Sequence, residues 1–209
     1  MKTLFAVLTL LASLTFLSLA RGADAPPDAT LARLRAKAEQ IHSILATFTQ
    51  EKRLRIVNKP LVSKGRFAFQ KPRMLRWEYL SPVRSGFAVD GETGTRWNEL
   101  SGEMKSFVVQ KDPIMQIVSA QMLLWTTLDL DSLSKMFQIV VESDSPAILK
   151  LIPHTEGKSP VQGIRITFAK DDSAIVAIEI LEQEGDSTTL RFSDMAVNTA
   201  LDPALFTQK

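Results

Sequence analysis

The chain contains no cysteine and only two histidines, His42 and His154, among its 209 residues. The absence of cysteine excludes disulfide bonds, thiolate metal ligands, a cysteine nucleophile and a lipid-modified N-terminal cysteine. A histidine base needs an orienting partner, so two isolated histidines are better explained as solvated surface residues. We therefore expect no catalytic residue, no metal ion and no cofactor.

Sequence signatures of phosphate and hydrolase sites are also missing. The 9 glycines are scattered and form no phosphate-binding loop, and no G-x-S-x-G nucleophile elbow occurs. The acidic pairs Asp129/Asp131 and Asp171-Asp172 lack calcium-loop spacing. We assign these acidic residues to turns and helix caps, and we expect the protein not to be an enzyme.

A large excess of one charge is likewise absent, since the chain has 25 Lys and Arg residues and 23 Asp and Glu residues. Such a balance gives no basic stripe or tail, so we expect no nucleic-acid partner. Residues 1–22 contain Lys2 and Arg21 and no acid. Removal of that segment would leave 25 − 2 = 23 basic and 23 acidic residues, a formal net charge of zero.

Residues 1–22 have the pattern of a secretory signal peptide. A positive start, Met1-Lys2, precedes an uncharged run rich in Leu, Ala and Phe from Thr3 to Ala20, and small residues follow. We expect cleavage after residue 22, with positions 20 to 25 as alternatives. The competing interpretation is an uncleaved anchor, because the run is just long enough to span a bilayer. The expected product is an exported, soluble protein with one domain over 23–209.

An amphipathic helix is predicted over residues 29–46. Apolar residues recur at steps of three and four along this segment and on to Phe48. Charged residues occupy the remaining positions and form the solvated face. The apolar stripe consists of Leu31, Leu34, Ala38, Ile41, Leu45 and Phe48.

After Phe48 the apolar period changes from 3.6 to 2, which predicts strands. The dipeptides Asp90-Gly91 and Ser101-Gly102 are hairpin turn signals. The predicted sheet is therefore an antiparallel meander with little room for crossover helices. Its strands are 64–70, 73–79, 85–89, 95–99, 103–109, 137–142, 147–152, 163–169, 175–182 and 188–193.

A second helix interrupts the meander. Asp112 is a suitable N-cap and Pro113 a suitable first helical residue. Apolar residues then cover most of the helix circumference as far as Trp125. A helix of this kind is buried on both sides or lines an apolar space. A further short helix is predicted over 130–135.

The large apolar side chains admit two interpretations. They fill an ordinary core, or they line a cavity between a curved sheet and the helices. Seven methionines are compatible with the second interpretation, because methionine adapts to varied apolar partners. From the residues alone we expect one domain of about ten or eleven strands with two or three helices.

Several motifs resemble those of the LolA-type periplasmic lipoprotein carriers. The segment 44–50 resembles the opening of that family, and 65–79 has its G-x-x-x-x-x-x-P-x-x-x-x-W frame. Val89-Asp90-Gly91 followed by Trp97, the helix opened by Asp112-Pro113, the late hairpin over 168–186 and the terminal Leu205-Phe206 also fit. Each motif is weak alone, but their order and spacing together are fairly specific and cover the predicted domain.

The resemblance implies a mainly β (α+β) fold, an incomplete antiparallel β-barrel with a helical lid over an apolar cavity. It also implies a periplasmic carrier that takes acylated lipoproteins from an inner-membrane ABC-type exporter to an outer-membrane receptor, and we expect a monomer. A carrier of another lipid or glycolipid, or a lipid-sensing regulatory module, is the alternative. The segment Asn58–Ser63 resembles branches linked to export of other lipids. A periplasmic hydrolase is the remaining, enzymatic, rival.

The resemblance also implies a basic residue before the motif proline that helps to hold the lid shut. Here that residue is Lys71, where well-known members have arginine, and lysine lacks the planar fork of arginine. A solvated turn lysine is the competing interpretation. We expect the lid to consist of the helices over 31–46 and 113–124. The predicted cavity residues are Phe67, Phe69, Leu75, Trp77, Met115, Val118, Met122, Trp125, Ile164, Ile166 and Ile178.

Overall fold

The computed structural model describes residues 27–113, 115–116, 118–119, 128–154, 159, 161–182 and 184–207. In this part of the chain, two helices and eleven strands are joined by turns and loops. Helical backbone also occurs at 113, 115–116 and 118–119, and 3-10 turns lie at Val109–Lys111 and Pro203–Phe206. The elements are α1 (Pro27–Glu39), β1 (Ser43–Arg53), β2 (Leu61–Gln70), β3 (Met74–Ser81), β4 (Ser85–Asp90), β5 (Thr93–Asn98), β6 (Glu103–Val108), α2 (Leu130–Met136), β7 (Phe137–Asp144), β8 (Ala147–Pro153), β9 (Val161–Phe168), β10 (Ile175–Glu182) and β11 (Ser187–Val197).

The eleven described strands form one antiparallel sheet that does not close. Its order is β6-β5-β4-β3-β2-β1-β11-β10-β9-β8-β7, so β6 and β7 are the two edges. Residues from both halves of this sheet meet α1 in one buried apolar cluster, which requires the sheet to curve. The predicted incomplete barrel with a helical lid is confirmed.

The sheet has two ends, which we name for later use. At the lid end, β1 begins at Ser43, which pairs with Gln70 of β2. At the tip end, β1 finishes at Arg53, which pairs with Ser187 of β11. The loop from β1 to β2 projects beyond the tip end, whereas α1 lies at the lid end.

The first helix is shorter than predicted. It ends at Glu39, and residues 43–53, which the prediction divided between helix and loop, form strand β1. The apolar residues from Ile44 to Phe48 also fit a period of two, and the β-branched Ile44, Thr47 and Thr49 favour an extended chain. The prediction of a helical lid over 31–46 is therefore wrong beyond residue 39, and His42 follows the helix instead of lying on it.

Two predicted hairpin turns and two predicted helix caps are confirmed. Gly91 and Gly102 adopt positive φ angles of 70° and 65°, which glycine tolerates at no steric cost. Asp112 caps the interrupting helix, since its carboxylate accepts a hydrogen bond from the Met115 amide at 3.2 Å. Asp129 caps α2 in the same way, at 3.0 Å from the Ser132 amide.

Strand β3 is buried on both faces, although its alternating pattern predicts one wet face. Arg76 and Glu78 lie on the outer face with side chains only 7% and 6% exposed. The turn at Pro203–Phe206 covers them, and the Leu205 carbonyl accepts a hydrogen bond from Arg76 at 3.0 Å. Arg66 also pairs with Glu78, at 2.9 Å. The turn at Pro203–Phe206 therefore covers the outer face of β3, and the inner face of β3 is directed toward the cavity.

Candidate apolar binding cavity

Aromatic rings from four strands form the floor of the inner face. The Phe48 ring stacks on Trp77 with centroids 4.2 Å apart and meets Tyr79 edge-on at 5.5 Å. Phe67 and Phe192 complete the group, 5.8 Å and 6.4 Å from Trp77. These residues come from β1, β2, β3 and β11, the strands at the centre of the sheet. Aromatic pairs in such geometry fix a rigid apolar surface.

Gly65 makes this arrangement possible. It lies directly opposite Phe48 in the register of β1 and β2, and opposite Tyr79 in the register of β2 and β3. A Cβ atom at residue 65 would overlap the Phe48 ring and the Glu78 carbonyl. Because glycine leaves that space empty, the Phe48 ring crosses β2 and contacts Trp77.

Helix α1 covers the floor and encloses an apolar pocket, here called the lid pocket. The pocket has an empty volume of about 660 Å³, including its open mouth. Among the described lining residues, Asp172 carries a charge and the others are apolar. The lining is Leu34, Ala38, Ile41, Ile44, Ala46, Phe67, Trp77, Leu128, Phe168, Asp172, Ala174, Ile175, Ile178, Phe192 and Met195. Such a lining suits an aliphatic ligand.

A second, wider pocket opens on the other side of Trp77, toward the tip end. Its empty volume is about 1100 Å³, including open solvent. Met115 and Val118 of the interrupting helix form one wall, and Ile180 and Leu190 form another. Tyr79 donates a hydrogen bond to Gln50 there, at 2.8 Å. Since Trp77 lines both pockets, they adjoin across one indole ring.

Ion pairs from Arg33 fasten α1 to the turns at the lid end. Its Nε lies 2.6 Å from Asp172 and its Nη1 lies 2.9 Å from Asp144. The Thr30 hydroxyl also donates to Asp144, at 2.5 Å. Hydrogen bonds to Asp172 and then Asp144 raise the pKa of Arg33 above its ordinary value. The side chain of Asp172 is only 9% exposed, so its pairing with Arg33 also satisfies a charge beside the pocket.

Lys71 contacts the opposite end of α1. Its Nζ donates to the carbonyls of Ala38 at 3.3 Å and Glu39 at 2.9 Å. These carbonyls close the last turn of the helix, where a cation is favoured by the helix dipole. Lys71 thus lies in a turn, is partly exposed and contacts the end of α1, while its role in holding the lid shut stays a prediction.

The predicted cavity residues fall into five groups. Phe67, Trp77 and Ile178 line the lid pocket, and Trp77, Met115 and Val118 line the second pocket. Leu75 lies in a separate recess with Val89 and Ser119. Met122 and Trp125 lie outside the described residues. Buried in the same core without lining either pocket are Phe69, Ile164 and Ile166.

Sequence reasoning missed several lining residues. Ile44 and Ala46 fell within the helix predicted over 29–46, so their place on the sheet was not foreseen. Phe192 and Met195 lie on β11, whose alternation of Leu190 and Phe192 could have indicated the inner face. No sequence signal marked Asp172, because its place on the pocket wall depends on the positive φ of 58° in its turn.

The described residues offer little for catalysis or metal binding. No group of three or more His, Asp and Glu side chains with the spacing of a metal site occurs among them. His42 and His154 are both exposed, and His154 contacts the Ser134 carbonyl at 2.9 Å. Within the same residues, no helix is long and apolar enough to cross a membrane.

Comparison with known sequences connects this chain to a protein family. The sequence model of the outer membrane lipoprotein carrier protein LolA matches residues 39–209. An outer-membrane lipoprotein carrier protein of Pseudoalteromonas translucida is 23% identical over 177 residues, 83% of this chain and 79% of that protein. The corresponding protein of Dechloromonas aromatica is 29% identical over 177 residues, 80% of this chain and 81% of that protein.

A solved structure of similar fold comes from a longer protein. The complex of Pseudomonas aeruginosa MucA and MucB contains a chain that superposes with a TM-score of 0.51 at 13% sequence identity. The superposition covers 87% of this chain and 60% of that one. At this identity the likeness concerns the fold alone.

Proposed function

Since the chain belongs to the LolA family of outer membrane lipoprotein carriers, we propose that it shields the acyl chains of lipoproteins in the lid pocket. In this proposal it works in the periplasm and carries its cargo from an inner-membrane exporter to an outer-membrane receptor. The family match supports the general role of a lipoprotein carrier, and family members are carriers and not enzymes. The route and the partners are the parts that we add.

The observation that carries the proposal is the apolar lining of the lid pocket. Asp172, the one charged residue among the described lining, is already paired with Arg33 at 2.6 Å. An aliphatic chain therefore meets apolar carbon atoms and the faces of Trp77 and Phe192. An acyl chain fits this surface better than a polar or charged ligand, which would leave its own groups unsatisfied.

The energetics favour partial shielding of the cargo. Exposure of an acyl chain to water costs about 0.8 kcal/mol per methylene. Three long chains exceed the empty volume of the lid pocket, about 660 Å³ with its open mouth. The adjoining second pocket, about 1100 Å³ with open solvent, extends the apolar surface. A carrier must also release its cargo, so incomplete burial suits the task.

Movement of α1 would control access to the lid pocket. The helix lies over the floor through Leu34 and Ala38, which are buried. It is attached by Arg33 at one side and by Lys71 at its last turn. Rotation of α1 away from the sheet would break these polar contacts and widen the mouth, a gating step that involves no chemistry.

Binding of an environment-sensitive apolar dye, followed by displacement with a triacylated lipopeptide, tests the proposal. Met195→Glu places a charge on the wall of the lid pocket at a half-buried position. We expect this variant to bind dye and lipopeptide at least tenfold more weakly, about 1.4 kcal/mol. The readout is the fluorescence titration of the purified protein.

Met104→Glu is the matched control, because it makes the same substitution at an exposed site on β6, 47% exposed. We expect Met104→Glu to bind like the unaltered protein, and both variants to melt within a few degrees of it. Equal binding by the two variants, or no displacement by lipopeptide, would count against acyl-chain binding in the lid pocket.

A lipid-sensing regulatory module is the second candidate function. The observation that favours it is the shared fold with MucB, which is solved in complex with MucA. On this alternative the protein would bind lipid and a partner protein without passing lipid on. Retention of lipopeptide by the protein when acceptor membranes are added would support this second function, and transfer to those membranes would support the carrier.

A further inference from the structure

The loop that joins β1 to β2, together with the first two residues of β2, exposes an unusual concentration of aliphatic side chains. Ile56 is 90% exposed, Val57 43%, Leu61 54% and Val62 49%. Exposed apolar residues on soluble proteins are normally scattered singly. Here four of them lie within residues 54–62, which we call the hairpin tip.

The hairpin tip contains a hydrogen-bonded turn that exposes Ile56. The Val57 amide donates to the Leu54 carbonyl at 2.9 Å, so Arg55 and Ile56 occupy the corners of a tight turn. The Arg55 amide donates to the Asp186 carboxylate at 2.8 Å, which joins the turn to the loop before β11. Two hydrogen bonds thus hold the turn in which the Ile56 side chain is exposed.

The hairpin tip and its flanking residues are basic in sequence, although the Asp186 carboxylate lies beside the Arg55 amide. Residues 52–64 contain five basic side chains and no acid. Lys52 pairs with Glu182 at 3.4 Å and Arg53 pairs with Glu51 at 2.5 Å, both at the base of the hairpin. Arg55 and Lys59 lie in the tip itself, and both are exposed.

We propose that the hairpin tip docks on an anionic lipid bilayer. Ile56 and Val57 would enter the boundary between head groups and acyl chains, and Arg55 and Lys59 would contact lipid phosphates. Apolar side chains flanked by basic ones are what an anionic membrane surface attracts. A protein partner fits less well, because the tip is an exposed turn and lysine is depleted from protein interfaces.

This docking would orient the cavity relative to the membrane. The second pocket includes Tyr79 and Ser85, which pair with each other at the tip end of β3 and β4. A hairpin tip in contact with lipid therefore brings that pocket toward the bilayer, while α1 at the lid end stays away from it. Docking does not depend on the proposed function, but it would shorten the path of a lipid into the cavity.

Co-sedimentation with lipid vesicles tests the docking. The protein is purified from the periplasmic extract of an expressing bacterium, and its N-terminus is read by mass spectrometry so that residues 1–22 cannot contribute. Vesicles of phosphatidylethanolamine with phosphatidylglycerol are compared with vesicles of phosphatidylcholine. We expect binding to the anionic vesicles, little to the neutral ones, and a decrease with added salt.

Three variants assign the binding to the hairpin tip. We expect Ile56→Asp to lower the vesicle-bound fraction at least tenfold and Lys59→Glu to lower it severalfold. Val108→Asp is the control, an apolar site 39% exposed at the lid end of β6, and it should bind like the unaltered protein. Ile56→Asp should also keep the dye affinity of the lid pocket, which separates this proposal from the proposed function.

Three results would overturn the docking. They are absence of binding to anionic vesicles, equal binding to neutral ones, and undiminished binding of Ile56→Asp. Capture of a protein partner through the hairpin tip without vesicle binding would likewise assign the surface to a protein.

Discussion

At the scale of single residues, the absence of one side chain shapes the floor of the cavity. Gly65 stands between Phe48 and Tyr79 in neighbouring strands. The Phe48 ring occupies the space that a Cβ atom would need, and it reaches Trp77 with centroids 4.2 Å apart. The glycine is required for a close approach and not for a special backbone angle.

We predict that Gly65→Ala destabilises the protein by about 1–3 kcal/mol, the usual cost of overpacking a core. The added methyl group would displace the Phe48 ring or push β2 away from β3. A urea titration followed by tryptophan fluorescence measures the change in unfolding free energy.

Gly163→Ala is the matched control for this measurement. Gly163 also lies in a strand, but a Cβ atom there would have the Leu151 carbonyl as its nearest neighbour, at 3.4 Å. We expect a change smaller than about 0.5 kcal/mol, as for a substitution that disturbs no packing. Equal destabilisation by the two variants would show that Gly65 has no special role beneath Phe48.

Residue types alone predicted part of this site. The alternation in β2 and β3 placed Phe67 and Trp77 on a shared face, and both line the lid pocket. The burial of Arg76 and Glu78 on the other face could not be predicted. It depends on the turn at Pro203–Phe206, more than 120 residues away in the chain, which covers their strand.

At the scale of elements, the boundary between α1 and β1 is where prediction and structure diverge. Leu31, Leu34 and Ala38 fit a helical stripe, and the helix is there. The same spacing extends through Leu45 and Phe48. These residues nevertheless form a strand, because β1 pairs with β2 and β11. A central strand of the sheet supplies many backbone hydrogen bonds and outweighs a weak helical preference.

The ends of elements were predicted more reliably where a side chain caps or a glycine turns the chain. Asp112 and Asp129 cap helices as expected, and Gly91 and Gly102 sit in hairpin turns. These signals are local, so they are visible in a single sequence. The closure of α1 over the sheet is not local, because Asp144 and Asp172 lie more than 100 residues after Arg33.

We predict that Arg33→Gln loosens α1. Loss of the ion pairs with Asp144 and Asp172 removes charge-assisted hydrogen bonds worth about 1–2 kcal/mol. The amide protons of α1 should then exchange with deuterium roughly tenfold faster, and dye should enter the lid pocket faster. Hydrogen-exchange mass spectrometry of α1 peptides and stopped-flow dye binding measure the two effects.

Arg35→Gln is the control on the same helix. Arg35 pairs with Asp131 at 2.6 Å, but the side chains are 48% and 82% exposed, so solvent screens the pair. We expect the exchange of α1 to change less than about twofold. If Arg33→Gln leaves both exchange and dye entry unaltered, the helix is not held by Arg33.

At the scale of the whole molecule, the two ends of the open sheet of eleven described strands carry different features. The lid end carries α1 and the ion pairs that fasten it. The tip end carries the exposed Ile56 and the mouth of the second pocket. The aromatic floor around Trp77 lies between them and lines both pockets. The formal charge of zero expected without residues 1–22 agrees with a protein whose binding depends on apolar surface.

Photo-crosslinking tests the central claim most directly, that acyl chains lie in the lid pocket. A triacylated lipopeptide with a diazirine on an acyl chain is bound, irradiated, and its attachment sites are assigned to single residues by fragmentation mass spectrometry. The account predicts attachment at pocket residues such as Ile178, Phe192 and Met195. Attachment confined to outward-facing residues such as Leu181 and Arg191, or none at all, would contradict it.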